Sequence, residues 1–193
     1  MKKGAILDLE RVLLDAKLPA ISGALQTGTL IYTHYLTGLI TPLRRAIEQA
    51  GFTVGVFTGE DKSGLQPFIT GQVDVLIGSV PVGTGVDGLQ YVCNRLIIVS
   101  LPWTSAEYEQ LIGRLYRQGS VFDKVEVVIP QVSLSHHGDV WSWDKLRWHR
   151  IQYKKTLADA ALDGVIPEGE LSSPDTMFKQ AREALQAWIT RVE

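Results

Sequence analysis

Two rhythms of apolar and polar positions run along this chain, one of helical period and one of continuous short apolar runs. Residues 6–16, ILDLERVLLDA, place Leu9, Val12, Leu13 and Ala16 at helical spacing, and Pro19 follows as a stop. Gly28 opens TLIYTHY, a β-rich run that reads as a buried strand. LTGLITPLRRAIEQAG then sets Leu39, Leu43, Ala46 and Ile47 on one helical face and ends on Gly51, a residue suited to a helix C-terminus. FTVGVF is a short strand reaching Thr58-Gly59, and DKSGLQPFITGQ, punctuated by Gly64 and Pro67, is a short helix. DVLIGS (74–79) is another strand, followed by the glycine-rich VPVGTGVDGLQ. RLIIVS (95–100) is a fourth strand, SAEYEQLIGRLYRQG a helix with Ser105 as N-cap, and KVEVVIPQV (124–132) a fifth strand.

Because these strands are unbroken apolar runs, both of their faces are covered. Alternation with helices then implies α/β architecture: a parallel sheet with helices on both faces and right-handed crossovers. After about residue 133 the composition changes. HHGDVWSWDKLRWHRIQYKK is rich in tryptophan, histidine and base, and GVIPEGELSSPD reads as a linker. Ser173-Pro174 starts a last helix, with Phe178, Ala181, Leu185, Trp188 and Val192 on one face. The expected division is an N-terminal helix over 1–26, an α/β lobe over 27–133 and a helical extension over 134–193.

Composition narrows the chemistry. The chain has 193 residues, 45% hydrophobic and 21% charged, enough for one domain with an appendage. Its 19 basic and 21 acidic residues give a net charge of −2, so any nucleic-acid contact is a local patch and not bulk charge. The single cysteine, Cys93, excludes an internal disulfide and a cysteine-based zinc site. No segment is apolar over membrane-spanning length, and Asp8 and Glu10 interrupt any signal-peptide core, so no membrane partner is expected and the chain reads as cytoplasmic.

Three motifs are set aside. Gly83-Thr84-Gly85-Val86-Asp87-Gly88 matches G-x-G-x-x-G, but Val80-Pro81-Val82 separate it from its strand, and the next strand ends Val99-Ser100-Leu101-Pro102 without a ribose-binding acid. Gly59-Glu60-Asp61-Lys62-Ser63 has Asp61 where a phosphate loop needs glycine, so the chain holds no Walker A sequence. His136-His137 and His149 lack a spaced carboxylate partner, and no metal is expected.

The informative constellation is Gln110-Leu111-Ile112-Gly113-Arg114-Leu115-Tyr116-Arg117-Gln118-Gly119. Three residues apart on a helix, Arg114 and Arg117 project from one side and can reach a common anion, which suits the spread charge of a transferring phosphoryl group. This Q-x-x-G-R-x-x-R-x-G pattern resembles motif VI of superfamily-2 helicases and translocases. Thr29–Tyr35 resembles motif IV, Phe57-Thr58-Gly59 the turn after the next strand, and Asp74–Ser79 with Gly85-Val86-Asp87 motif V. Val99-Ser100-Leu101-Pro102-Trp103-Thr104 resembles the approach to motif VI in the Swi/Snf-type branch.

The resemblance implies a RecA-like second lobe of an ATP-dependent, DNA-directed (or RNA-directed) motor. Arg114 and Arg117 would be arginine fingers, while Gln110, Gly113, Gly85 and Asp87 would lie at ATP. Thr33, His34, Thr58, Gly59 and Ser79 would contact nucleic-acid phosphates from the strand ends. ATP and Mg²⁺ would be held mainly by an N-terminal RecA-like lobe in cis or trans, leaving this chain inactive alone. On the residues themselves, Asp87 also suits an N-cap over Leu89-Gln90, and Thr33 and Ser79 also suit helix caps. Trp141, Trp143, Lys145, Arg147, Trp148, Arg150, Tyr153, Lys154 and Lys155 form a basic aromatic stretch that either clamps nucleic acid or packs an extra helix onto the sheet. Two other functions stay open: an interaction module with this fold, and a nicotinamide-dinucleotide oxidoreductase.

Overall fold

Strands β1 (Thr29–Thr33), β2 (Val54–Phe57), β3 (Val75–Gly78), β4 (Arg95–Ser100) and β5 (Glu126–Val128) pair in parallel in the order β2-β3-β1-β4-β5. The computed structural model describes residues 3–136 and 139–163, together with Lys179 and Glu183. Every residue of the central strand β1 is buried, as its unbroken apolar run requires. Its side chains alternate between two cores. Leu30 and Tyr32 join Phe68, Val82, Leu89 and Leu111 on one face, and Ile31 joins Leu14, Ile21, Leu43 and Ile47 on the other.

The first face is covered by α3 (Leu65–Ile69), α4 (Val80–Gly85) and α5 (Ser105–Leu115), the second by α1 (Lys3–Gly23) and α2 (Ile40–Gln49). Gly51 ends α2 as its sequence suggests. With φ of 89° it donates to Glu48 O, while Phe52 N donates to Ile47 O at 3.2 Å, a Schellman closure. The antiparallel hairpin β6 (Leu134–His136) and β7 (Asp139–Trp141) leads into α6 (Trp143–Asp163).

Several boundaries differ from the sequence reading. Pro19 lies inside α1, on its exposed side, and the helix runs on because Lys17 and Ile21 bury against the sheet side beyond it. Val12 and Ala16 face solvent; the buried stripe is Ile6, Leu9, Glu10, Leu13, Leu14, Lys17 and Ile21. The glycine-rich stretch 80–85, to which the sequence reading gave no element, is a short helix with Pro81 in its first turn. Thr104, not Ser105, caps α5, its hydroxyl accepting from Glu107 N at 3.1 Å. β1 stops at Thr33, β5 is three residues long, and α5 ends at Leu115, before Arg117. The last helix expected after Ser173-Pro174, with Phe178, Ala181, Leu185, Trp188 and Val192, lies outside the described residues, as does His137.

The basic aromatic stretch packs. Trp143, Arg147 and Ile151 of α6 are buried, Trp148 meets Tyr108 edge-on at 5.2 Å between centroids, and Lys155 pairs with Glu109 at 2.9 Å. Two buried ion pairs join α6 to α1. Lys17 Nζ donates to Asp144 Oδ1 at 2.6 Å and to Val99 O at 2.7 Å, and Asp144 Oδ2 accepts from Val132 N at 3.0 Å. Arg147 Nη1 donates to Glu10 Oε1 at 2.7 Å, an oxygen that also accepts from Trp143 Nε1 at 3.0 Å. All four charged side chains are at most 3% exposed.

Candidate functional site

Since all five strands run the same way, the loops after β1, β2, β3 and β4 emerge at one edge of the sheet, where open parallel sheets bind ligands. The structure thus gathers Thr33, His34, Thr58, Gly59 and Ser79 at that edge. A register shift between β1 and β4 at Tyr32/Thr33 brings Ser100 beside Thr33. The Thr33 hydroxyl donates to Tyr35 O at 2.8 Å and lies 3.1 Å from Ser100 Oγ, which accepts from His34 N at 2.7 Å. Thr58 Oγ1 accepts from Asp61 N at 3.0 Å and ties its turn. Thr33, Thr58 and Ser79 are buried, whereas Gly59 is exposed and His34 half-buried. Neither the Thr33 nor the Ser79 hydroxyl caps a helix. The Thr33 and Thr58 hydroxyls shape backbone at this edge, where the His34, Thr58 and Ser79 N–H groups donate to Ser100 Oγ, Asp61 O and Phe57 O.

The second cluster forms where α5 crosses α4. Arg114 wraps the C-terminal end of α4: Nε donates to Gly83 O at 2.9 Å, Nη1 to Val86 O and Nη2 to Thr84 O, both at 3.3 Å. A cation there satisfies the last carbonyls and the negative end of the helix. Arg117, beyond α5, pairs with Asp87 Oδ1 at 2.8 Å, and both side chains are exposed. Asp87 is therefore an ion-pair partner and does not cap the single turn Leu89–Tyr91, which Gly88 opens at φ 93°. Gln110 is exposed on α5 beside a small cleft over Tyr32, lined also by Gly83, Thr84 and Glu107. Gly85, Asp87, Gln110, Gly113, Arg114 and Arg117 thus come onto two adjoining elements. Gly83 and Gly85 sit inside α4, unlike the glycine turn of a dinucleotide-binding loop.

Gly113 has nothing within 4 Å of where a Cβ would stand, although glycine in a helix interior costs stability. Gly113→Ala is therefore expected to stabilise the isolated chain by about 0.5–1 kcal/mol in urea unfolding. A loss of stability would show that the bare position serves packing within this chain.

The His34 ring approaches the Tyr32 hydroxyl at 3.4 Å. Burial, then the Arg147 cation, hold its pKa below the usual histidine value, against the opposing Glu107 carboxylate. The unfolded chain then binds the proton more readily, so His34 contributes stability fully present above about pH 6.5, lost as pH falls through that value toward the lowered one. Asp61 and Asp74, held below the usual carboxylate range by hydrogen bonds from Ser63 and Thr53, titrate in a lower window. Urea midpoints between pH 7 and 5 should fall less in His34→Gln than in the parent chain; equal slopes would refute this origin.

Burial also raises the Tyr32 phenol and pushes the Cys93 thiol up to about 12, so Cys93 is an inert core residue. Among the described residues no group of three or more His, Cys, Asp or Glu side chains could hold a metal ion, and no helix is long and apolar enough to cross a membrane. Sequence reasoning singled out Arg147 within the basic aromatic stretch but missed its partner Glu10 and the pair Lys17–Asp144. Their signal was legible: Glu10 and Lys17 interrupt the stripe Glu10, Leu14, Lys17, Ile21 at i, i+4, i+7 and i+11.

A parallel five-stranded sheet with helices on both faces, in the order β2-β3-β1-β4-β5, matches RecA-like helicase C-terminal lobes. The chain belongs to the helicase conserved C-terminal domain family, whose pattern matches residues 16–119. It is 34% identical over 98 residues, 49% of its own length, to the "uncharacterized ATP-dependent helicase YqhH" of Bacillus subtilis strain 168, and spans 17% of that relative. The fold is similar to a DEAD box protein from the hyperthermophile Methanococcus jannaschii, with TM-score 0.53 and 16% identity over 75% of this chain and 37% of that one. It is also similar to the yeast DEAD-box splicing factor Prp28, with TM-score 0.52 and 17% identity over 80% and 32% of the two chains.

Proposed function

We propose that the chain is the second RecA-like lobe of an ATP-dependent helicase or translocase of the Swi/Snf-type branch, directed to DNA. The observation that carries this reading is the junction of α4 and α5, where two arginines converge on Gly83–Asp87 at an exposed surface. Residues 27–133 form the lobe, with 1–26 leading in and 134–193 extending it. Arg114 and Arg117 stabilise charge on the transferring phosphoryl group. Gln110, Gly113, Gly85 and Asp87 flank ATP, whose Mg²⁺-bound phosphates a first lobe holds. Gly113 and Gly85, with nothing near a Cβ position in this chain, leave backbone open to that lobe or to the nucleotide. Thr33, His34, Thr58, Gly59 and Ser79 form part of the nucleic-acid track. The branch and the DNA preference rest on the Val99–Thr104 approach and the glutamine that opens motif VI; the DEAD-box neighbours support the fold alone.

The test is ATP hydrolysis by the full-length protein with duplex DNA, with RNA and with neither, beside residues 1–193 alone. DNA stimulation of the full-length protein and no hydrolysis by the isolated chain are expected. Stimulation by RNA alone would move the reading to an RNA motor. No stimulation by either, with salt-dependent DNA binding by the isolated chain, would favour an interaction module.

A further inference from the structure

Arg147 lies in the helical extension, outside the α/β lobe, yet its guanidinium reaches the loop after β4. Nη1 is neutralised by Glu10 at 2.7 Å, and Nη2 donates to Leu101 O and, at 3.3 Å, to Pro102 O. Its central carbon stands 4.3 Å from the Trp103 ring centroid. Trp103 is the next link: its indole N–H donates to the Tyr35 hydroxyl at 3.1 Å, and its backbone N–H donates to Glu107 Oε2 at 3.0 Å on α5. Tyr35 meets the His34 ring edge-on at 5.1 Å. A side chain of α6 is thus tied through one tryptophan to the loop after β1 and to the start of the helix carrying Arg114.

A fold that needed only to bury α6 against the sheet would not need a guanidinium here. Apolar residues fill such seams at lower desolvation cost, and a buried ion pair is weak evidence for stability. What a planar donor fork supplies is geometry: two adjacent carbonyls and one indole face held at fixed angles.

We propose that Arg147 is a positioning residue of the motor face. Through Leu101, Pro102 and Trp103 it sets both the loop after β1 and the N-terminus of α5, so that nucleic-acid engagement depends on the extension. This deepens the motor-lobe reading and rests on it.

Removing Arg147 alone strands the buried Glu10 charge, so the informative variant is the double change Glu10→Gln with Arg147→Met, which removes both charges and keeps an acceptor for Trp143. In the full-length protein two readouts are taken. The first is amide hydrogen exchange, which requires no activity. Faster exchange confined to 34–37 and 101–105, with β1, β3 and β4 still protected, is expected, and Tyr35→Phe should speed exchange at 34–37 alone. The second is ATP hydrolysis titrated with duplex DNA. The half-saturating DNA concentration should rise roughly tenfold while KM for ATP stays within about twofold, as for a contact displaced through its support. Arg147→Lys beside native Glu10 should restore part of the DNA term.

Unchanged exchange in both loops, or exchange rising uniformly across the sheet, would overturn the proposal. So would an equal loss of every kinetic constant. Failure of the motor reading itself appears in the unmodified protein, as absence of DNA-stimulated hydrolysis.

Discussion

In the full-length protein, Arg117→Ala is expected to leave ATP binding and folding nearly intact while slowing hydrolysis by about 10³–10⁵, the typical worth of an arginine finger. Its only described polar partner is the exposed carboxylate of Asp87, and an exposed pair contributes about 0–1 kcal/mol, so the guanidinium is cheaply released to a phosphate. Arg114→Ala should show a different signature. Its three backbone carbonyl contacts hold α4 against α5, so its loss adds about 1–3 kcal/mol of destabilisation to the slower chemistry. Single-turnover hydrolysis and urea unfolding on both variants separate these effects. Hydrolysis at the parent rate in both variants would sink the arginine-finger assignment; equal stability loss in both would deny the distinction between a capping and a swinging arginine.

Lys17→Met should destabilise the chain by about 3–5 kcal/mol, because it leaves the Asp144 carboxylate buried with a single described donor, Val132 N–H. The double variant Lys17→Met with Asp144→Leu should recover much of that loss, since neither charge is then stranded. The coupling between the two changes, read from urea midpoints of the two single variants, the double variant and the parent, is the quantity of interest. Additive effects would mean that the pair contributes nothing specific at the α1–α6 seam. At this size such a loss is a large share of a typical stability of about 5–15 kcal/mol, so Lys17→Met is also expected to expose the seam to proteolysis.

Much of the fold was legible because it rests on local pattern. Unbroken apolar runs such as Leu30–Tyr32 and Val75–Ile77, short and bounded by glycine and turn residues, read as strands covered on both faces, and Gly51, at φ 89°, ends α2 as a glycine past the last apolar helical position suggests. Family membership was legible too, since motif spacing is a property of the chain. Where local rules failed, tertiary burial outweighed them. Pro19 should end α1, but packing of Ile21 and Lys17 carries the helix past it. The glycine-rich stretch after β3 carries no helical signal of its own, yet Val82 inserts into the core beside Leu30 and Leu111, and the stretch winds into α4.

The sequence by itself determined the parallel α/β lobe, the order of its motifs and the residue types proposed to meet phosphate. Only the tertiary structure decided which groups those residues touch. It set Arg114 on the carbonyls of α4 and Arg117 on Asp87, and it joined Glu10 and Lys17 to partners more than 120 positions away. The physical reason is that a helix or strand pattern is written in neighbours a few positions apart, whereas a buried charge is stable only beside its opposite, and chain folding alone brings the two together.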